Sequence, residues 1–206
     1  MSPLVEQAIA RAGLAPILPA RQRGDAEAVR ELVASIGTID LLALGAVADA
    51  VRTMENGDVV RIHLARDPGV LWISALTFAE GVPRHAHGEA ASELGLLRAV
   101  AIARLTGRRA AHIGVDWGSQ SLELAQVALG FGATDLTGPF THKSGALIHE
   151  DDLRKVKGQG MVTAAALKRR EIAALVRNAG RSCEFTDDQT SGSTRAFFRT
   201  NGACLR

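Results

Sequence analysis

Histidine, carboxylate and thiol side chains mark four places where this 206-residue chain could do chemistry. The first is His85-Ala86-His87 with Glu89 close behind. Two imidazoles at i and i+2 beyond a strand can converge on one divalent ion such as zinc, and a nearby carboxylate can complete the site. His63, His112, His142 and Asp116 are the further ligands to look for. The spacing fixes no third ligand, which favours the plainer reading of a solvated loop carrying two histidines. The second place is Asp116-Trp117. Trp117 can wall a pocket while Asp116 accepts a hydrogen bond from a ligand. Equally, Asp116 can cap a helix opening at Gly118 and Ser119. The third is Asp135, Thr137 and Gly138, which either contact a ligand or simply make a glycine turn. The fourth is Cys183 and Cys204. A catalytic thiol needs a base or a helix N-terminus beside it, and the sequence offers neither, so both read as inert structural thiols. Lys168-Arg169-Arg170 reads as the solvated face of a helix. No glycine-rich phosphate loop with a following Lys and no nucleophile elbow occurs.

The elements that must position these groups follow from periodicity. Residues 98–140 read helix, strand, helix, strand, the alternation of parallel βαβ units. Leu97, Val100, Ala101, Arg104 and Leu105 fall at helical spacings before Gly107. The apolar run 110–115 suits a strand covered on both faces. A second helix carries Leu122, Leu124, Ala125, Val127, Ala128 and Leu129, and 133–136 is another strand. In such units functional groups sit just past the carboxyl ends of the strands, which here hold Asp116, Trp117, Gly118, Asp135, Thr137 and Gly138. Upstream, 3–12 is a short helix, and Pro16 and Pro19 are expected to forbid helix in the linker after it. Asp25 caps a helix over 26–35, and Thr38 starts one over 39–54 that is apolar most of the way round. Residues 58–65 alternate as a half-covered strand, and a second strand over 70–78 forms an antiparallel hairpin with it. Residues 79–91 and 138–160 are loops, and 161–179 is a helix.

Composition narrows the class. Hydrophobic residues make 47% and charged ones 22%, ordinary for a globular α/β protein. The net charge of +2 comes from 24 basic and 22 acidic residues scattered along the chain, which argues against nucleic-acid or membrane-surface binding. Aromatics are 4% and Tyr is absent, so platforms for stacking single strands are not expected. Two cysteines, no membrane-length apolar run and no signal-peptide pattern give a cytoplasmic expectation.

Several segments together resemble a known family. The pieces are the LRAVAIARL helix, the HIGVDW strand, AQVALGFGATDLTG and the later REIAALVRNAGR helix. Upstream, IDLLALGAVADAVRTMENGDVVRIHLA and SALTFAEG match in the same order. They resemble radical S-adenosylmethionine enzymes of the menaquinone (futalosine route) and deazaflavin-cofactor type. The family's CxxxCxxC is absent. Three cysteines are needed to hold a cluster with one open iron, and this chain has two, far apart. Several strand–helix units that the family carries between His63 and Leu71 are also absent. The resemblance therefore implies an α/β fold: a partial (β/α) barrel-like or open three-layer α/β unit with an N-terminal helical cap. One domain over 1–206 is expected, with cap 1–57, βα core 58–185 and a partly mobile tail 186–206. Asp135, Thr137 and Gly138 would end the last barrel strand and face substrate.

The function expected is that of a degenerate, cluster-free relative, acting as a small-molecule-binding or partner protein linked to menaquinone-type cofactor biosynthesis. No iron–sulfur cluster is expected. The alternative is a metal-assisted hydrolase or acid/base enzyme using His85, His87 and Asp116, with zinc or a similar divalent ion. A complete radical S-adenosylmethionine enzyme is one expected partner. A second copy is the other, because a partial barrel leaves strands 58–65 and 133–136 as open edges that invite pairing.

Overall fold

The computed structural model describes residues 2–34, 40–74, 92–140 and 167–186. Four helices open the chain: α1 (Pro3–Arg11), α2 (Ile17–Arg23), α3 (Ala26–Ala34) and α4 (Leu41–Asn56). Helix α2 occupies the stretch where two prolines were expected to prevent one. Pro16 is its N-cap and Pro19 lies in its first turn, where a missing N–H breaks no helical bond. Asp25 caps α3, accepting from the Ala28 N–H at 3.1 Å. Helix α4 is capped by Asp40, whose Oδ1 accepts from the Leu42 N–H at 2.9 Å. Thr38, expected in that role, lies outside the described residues. Leu44, Val47, Ala48 and Val51 of α4 are fully buried, whereas Leu42 is 74% exposed.

Five strands follow, interleaved with three helices: β1 (Val59–His63), β2 (Leu71–Ile73), α5 (Glu93–Thr106), β3 (Ile113–Asp116), α6 (Leu122–Leu129), β4 (Asp135–Thr137), α7 (Arg169–Asn178) and β5 (Ser182–Phe185). They form a single five-stranded sheet of order β2-β3-β4-β1-β5, and every pairing is parallel. The protein is thus mixed α/β, with seven helices among the described residues.

Three expectations are corrected here. β1 and β2 form no antiparallel hairpin; β1 pairs with β4 and β5, and β2 with β3. The strands expected as open edges, β1 and β4, lie inside the sheet, and the edges among the described residues are β2 and β5. The argument for sheet pairing between copies through those two strands therefore does not hold. β5 itself has no clear sequence signal. Its four residues, Ser182 to Phe185, are too few to show alternation, and its register comes from docking beside β1.

The two faces of the sheet differ sharply. Val60, Ile62, Ile113, Val115 and Leu136 alternate onto one face and are buried there. Helices α5, α6 and α7 pack against strands of the sheet, and α4 packs on α5. The opposite face carries polar groups in register: Arg61 and His63 from β1, Asp135 and Thr137 from β4, Gly114 and Asp116 from β3.

Residues 64–70 join β1 to β2 without a helix. This connection reaches polar-face residues twice. Arg66 donates to Asp116 Oδ2 at 2.9 Å, and the Asp67 carbonyl accepts from Trp72 Nε1 at 2.9 Å. It therefore crosses the sheet on the side away from the helices. Trp72 lies over Gly114 beneath it, and its ring stands edge-on to His63 at 5.6 Å between centroids. β2 and β1 are three strand spacings apart, about 14 Å, so the two side chains lean toward one another across β3 and β4.

Gly114 is what lets Trp72 lie there. A Cβ at that position would stand 2.3 Å from Trp72 Cζ3. Gly114→Ala is expected to cost about 1–3 kcal/mol by overpacking, read as a lowered urea midpoint. In a Trp72→Ala background the same change should fall within about 0.5 kcal/mol of zero. A full cost in both backgrounds would show that the indole is not the obstacle.

Candidate functional site

Register assembles the site from strand ends. Asp116 pairs with Thr137, and Thr137 with His63. Thr186 follows Phe185, the partner of Ile62, and so comes beside His63. The carboxyl ends of β3, β4, β1 and β5 thus present a carboxylate, a hydroxyl, an imidazole and a second hydroxyl in one row. Parallel sheets place their ligands at this end. Two residues further back on the same face, the row runs Trp72, Gly114, Asp135, Arg61 and Glu184.

Asp135 holds the two rows together. It is fully buried and receives four hydrogen bonds. Arg61 Nε and His63 Nε2 each reach Oδ1 at 2.7 Å. Thr134 Oγ1 donates to Oδ2 at 2.6 Å, and His112 Nδ1 lies 3.0 Å from the same oxygen. Burial pushes the Asp135 carboxyl up. The bonds from His63 and Thr134 and the charges of Arg61 and His112 outweigh that, and hold it below the ordinary aspartate value of 3.8. An ionised carboxylate can only accept, so the proton of the His63–Asp135 contact sits on His63 Nε2. His63 Nδ1 then faces Thr186 Oγ1 at 3.1 Å. Thr137 Oγ1 donates to the His63 carbonyl at 2.9 Å and fixes the backbone that carries the imidazole.

The far end of the sheet is clamped by buried arginines. Arg104 donates to the carbonyls of Gly132 at 2.9 Å and Ala111 at 2.7 Å, and to Asn56 Oδ1 at 3.0 Å. Burial lowers its guanidinium from 12.5 to about 10. These bonds tie the starts of β3 and β4 to the end of α4, setting the height at which His112 and Asp135 meet.

The sequence-expected residues divide into groups. Asp135 and Thr137 do belong to the site, but Asp135 is a buried hub rather than an exposed ligand contact. Asp116 lies on the rim, with Arg66 on one oxygen and the Gly118 N–H on the other at 2.8 Å. It does not cap the following helix. That cap is Ser121, whose Oγ accepts from the Leu124 N–H at 3.1 Å, because Gly118 to Gln120 form a turn first. Trp117 points to the helix side, edge-on to Phe140 at 5.1 Å. Gly138 makes room for it, since a Cβ there would stand 2.3 Å from Trp117 Cε2. Neither Trp117 nor Gly138 therefore walls the polar face. Cys183 is buried and is not a free thiol, so it is neither a nucleophile nor the inert thiol expected.

His85, His87, Glu89, His142 and Cys204 lie outside the described residues, as do the loops over 79–91 and 141–160 and the tail from 187. Among the described residues, no group of three or more His, Cys, Asp and Glu is arranged to hold a metal ion. No described helix is long and apolar enough to cross a membrane. No protein-family model matches this chain, and no curated protein matches it.

Arg61, Thr134 and Thr186 were missed from sequence. The alternation of Arg61 and His63 in 58–65 was the available signal for the first. Thr186 had none, because β5 had none.

Proposed function

We propose that this chain is a cluster-free relative of radical S-adenosylmethionine enzymes of the menaquinone (futalosine) and deazaflavin-cofactor type. In this reading it is a partial (β/α) barrel that binds a small polar molecule at the carboxyl ends of its strands. One observation carries the binding reading: Asp116, Thr137, His63 and Thr186 from four parallel strands share one row of one face. The order of the resembling segments supports the ancestry, and a helix-free connection stands where the family has further units. The absent cluster motif makes the role one of binding rather than radical chemistry. The alternative built on His85, His87 and Asp116 loses weight, because Arg66 and the Gly118 N–H already occupy the Asp116 oxygens.

Thermal unfolding with added futalosine tests the reading. At about one hundred times its dissociation constant a ligand adds about 2.7 kcal/mol, which in a domain of this size raises Tm by about 5–10 °C. Thr137→Val should reduce that rise. An unmoved Tm at saturating futalosine would overturn this ligand class.

A further inference from the structure

We propose that Asp135, His63 and Thr186 form a hydroxyl-activating relay, with Thr186 Oγ1 as nucleophile toward acyl and phosphonyl groups. The inference goes beyond small-molecule binding and stands on the hydrogen bonds that His63 and Thr186 of the same row make. Three features make the relay. The buried Asp135 carboxylate fixes the His63 proton on Nε2, at 2.7 Å. The lone pair on His63 Nδ1 is thereby aimed at a hydroxyl 3.1 Å away. That hydroxyl sits at the carboxyl end of β5 and is only partly buried, so a reactant can approach it. Nucleophile, base and orienting carboxylate are the parts by which such constellations are recognised on unrelated folds.

Alternative duties for the same groups are accounted for. Thr186 Oγ1 can also donate to the Ile62 carbonyl, at 3.3 Å, and the relay forms in the rotamer that turns this proton to His63 Nδ1, at the shorter 3.1 Å. When His63 takes the Thr186 proton, Nδ1 becomes a donor, and Asp135 stabilises the imidazolium. Arg61 shares Asp135 Oδ1. It holds the carboxylate ionised, so that Asp135 acts by orientation and charge and does not take the proton itself. Thr137 supports the imidazole backbone from the other side.

The step balances without a co-reactant other than water. Thr186 Oγ1 bonds to the acyl carbon of an ester while its proton passes to His63 Nδ1. The bond from carbon to the leaving oxygen breaks, and that oxygen takes the proton from Nδ1. Water then attacks the acyl-threonine through the same base, the acid departs, and the Thr186 hydroxyl is restored.

A fluorophosphonate probe tests this on the full chain. Phosphorus bonds to Thr186 Oγ1, fluoride leaves, and the proton goes to His63. Wild type should gain one phosphonyl mass, mapped by peptide sequencing to Thr186. Thr186→Ala should gain none, and Thr186→Ser should react at least as fast. His63→Gln should slow labelling by about 100-fold or more. Circular dichroism establishes that each variant is folded. Folded wild type that stays unlabelled, or is labelled elsewhere, overturns the proposal. So does a labelling rate indifferent to His63→Gln.

Discussion

Asp135→Ala is expected to lower stability by about 3–5 kcal/mol, a larger loss than any other single change at the strand ends. The carboxylate is fully buried and serves donors from β1 and from the approaches to β3 and β4. Removing it leaves Arg61 and two histidines facing one another without a counter-charge. Arg61 is 25% exposed and recovers some hydration, whereas His63, at 3%, recovers almost none. Asp135→Asn should lie at the lower end of the range, because the amide oxygen still accepts one or two of the bonds. Urea denaturation measures both. A loss under about 1 kcal/mol, the range of solvent-screened pairs, would show that the site is wetter than its burial indicates.

The same group fixes a pH dependence. Its folded pKa is depressed, so its contribution is complete above the unfolded value of 3.8 and is lost as pH falls through the folded value. The stability gap between wild type and Asp135→Asn should therefore narrow as pH falls below about 4. A gap that widens as pH falls from about 4 would mean that the ionised carboxyl is destabilised in the fold.

Much of this architecture was legible in the sequence. The helix-strand alternation over 98–140 reported the parallel units, because period and glycine punctuation are local properties. The alternation of Val60 and Ile62 against Arg61 and His63 reported a strand with one polar face. Sheet order was not legible. Strands β1 and β2 are seven residues apart in sequence, yet β4 lies beside β1, and this is set by tertiary packing. The proline rule failed at α2, because Pro16 and Pro19 sit where a helix tolerates them. Asp135 was visible as a strand-end carboxylate. Its four-donor hub was not, since Arg61, His63 and His112 reach it across 23 to 74 positions. Capping was one of two even readings of Asp116; the cap is Ser121, five residues on, because a turn intervenes before the helix.

Glu55→Gln should cost about 3–5 kcal/mol, although the residue is remote from the strand ends. Its side chain is fully buried and pairs with Arg21, itself 7% exposed. Arg21 Nε and Nη2 donate to the two carboxylate oxygens at 3.0 and 2.8 Å. Arg21 Nη1 meanwhile donates to the carbonyls of Leu105 at 3.2 Å and Gly107 at 2.8 Å, at the end of α5. Glu55 Oε2 also accepts from the Ala110 N–H at 2.9 Å. Ala110 has a φ of 54°, a left-handed conformation that costs a residue with a Cβ about 1–2 kcal/mol. The carboxylate helps to hold that turn, and two residues later the chain delivers His112 to Asp135. Neutralising Glu55 leaves the Arg21 guanidinium charged and largely buried without a counter-ion, and it weakens the turn as well. The pair Arg21→Met with Glu55→Gln removes the stranded charge, so the double variant should be more stable than Glu55→Gln alone. It should still fall below wild type, because two helix-end carbonyls lose their donor. Urea midpoints of the three proteins decide the matter. A double variant less stable than Glu55→Gln would mean that Arg21 serves mainly as a cap for α5, with the charge pairing secondary.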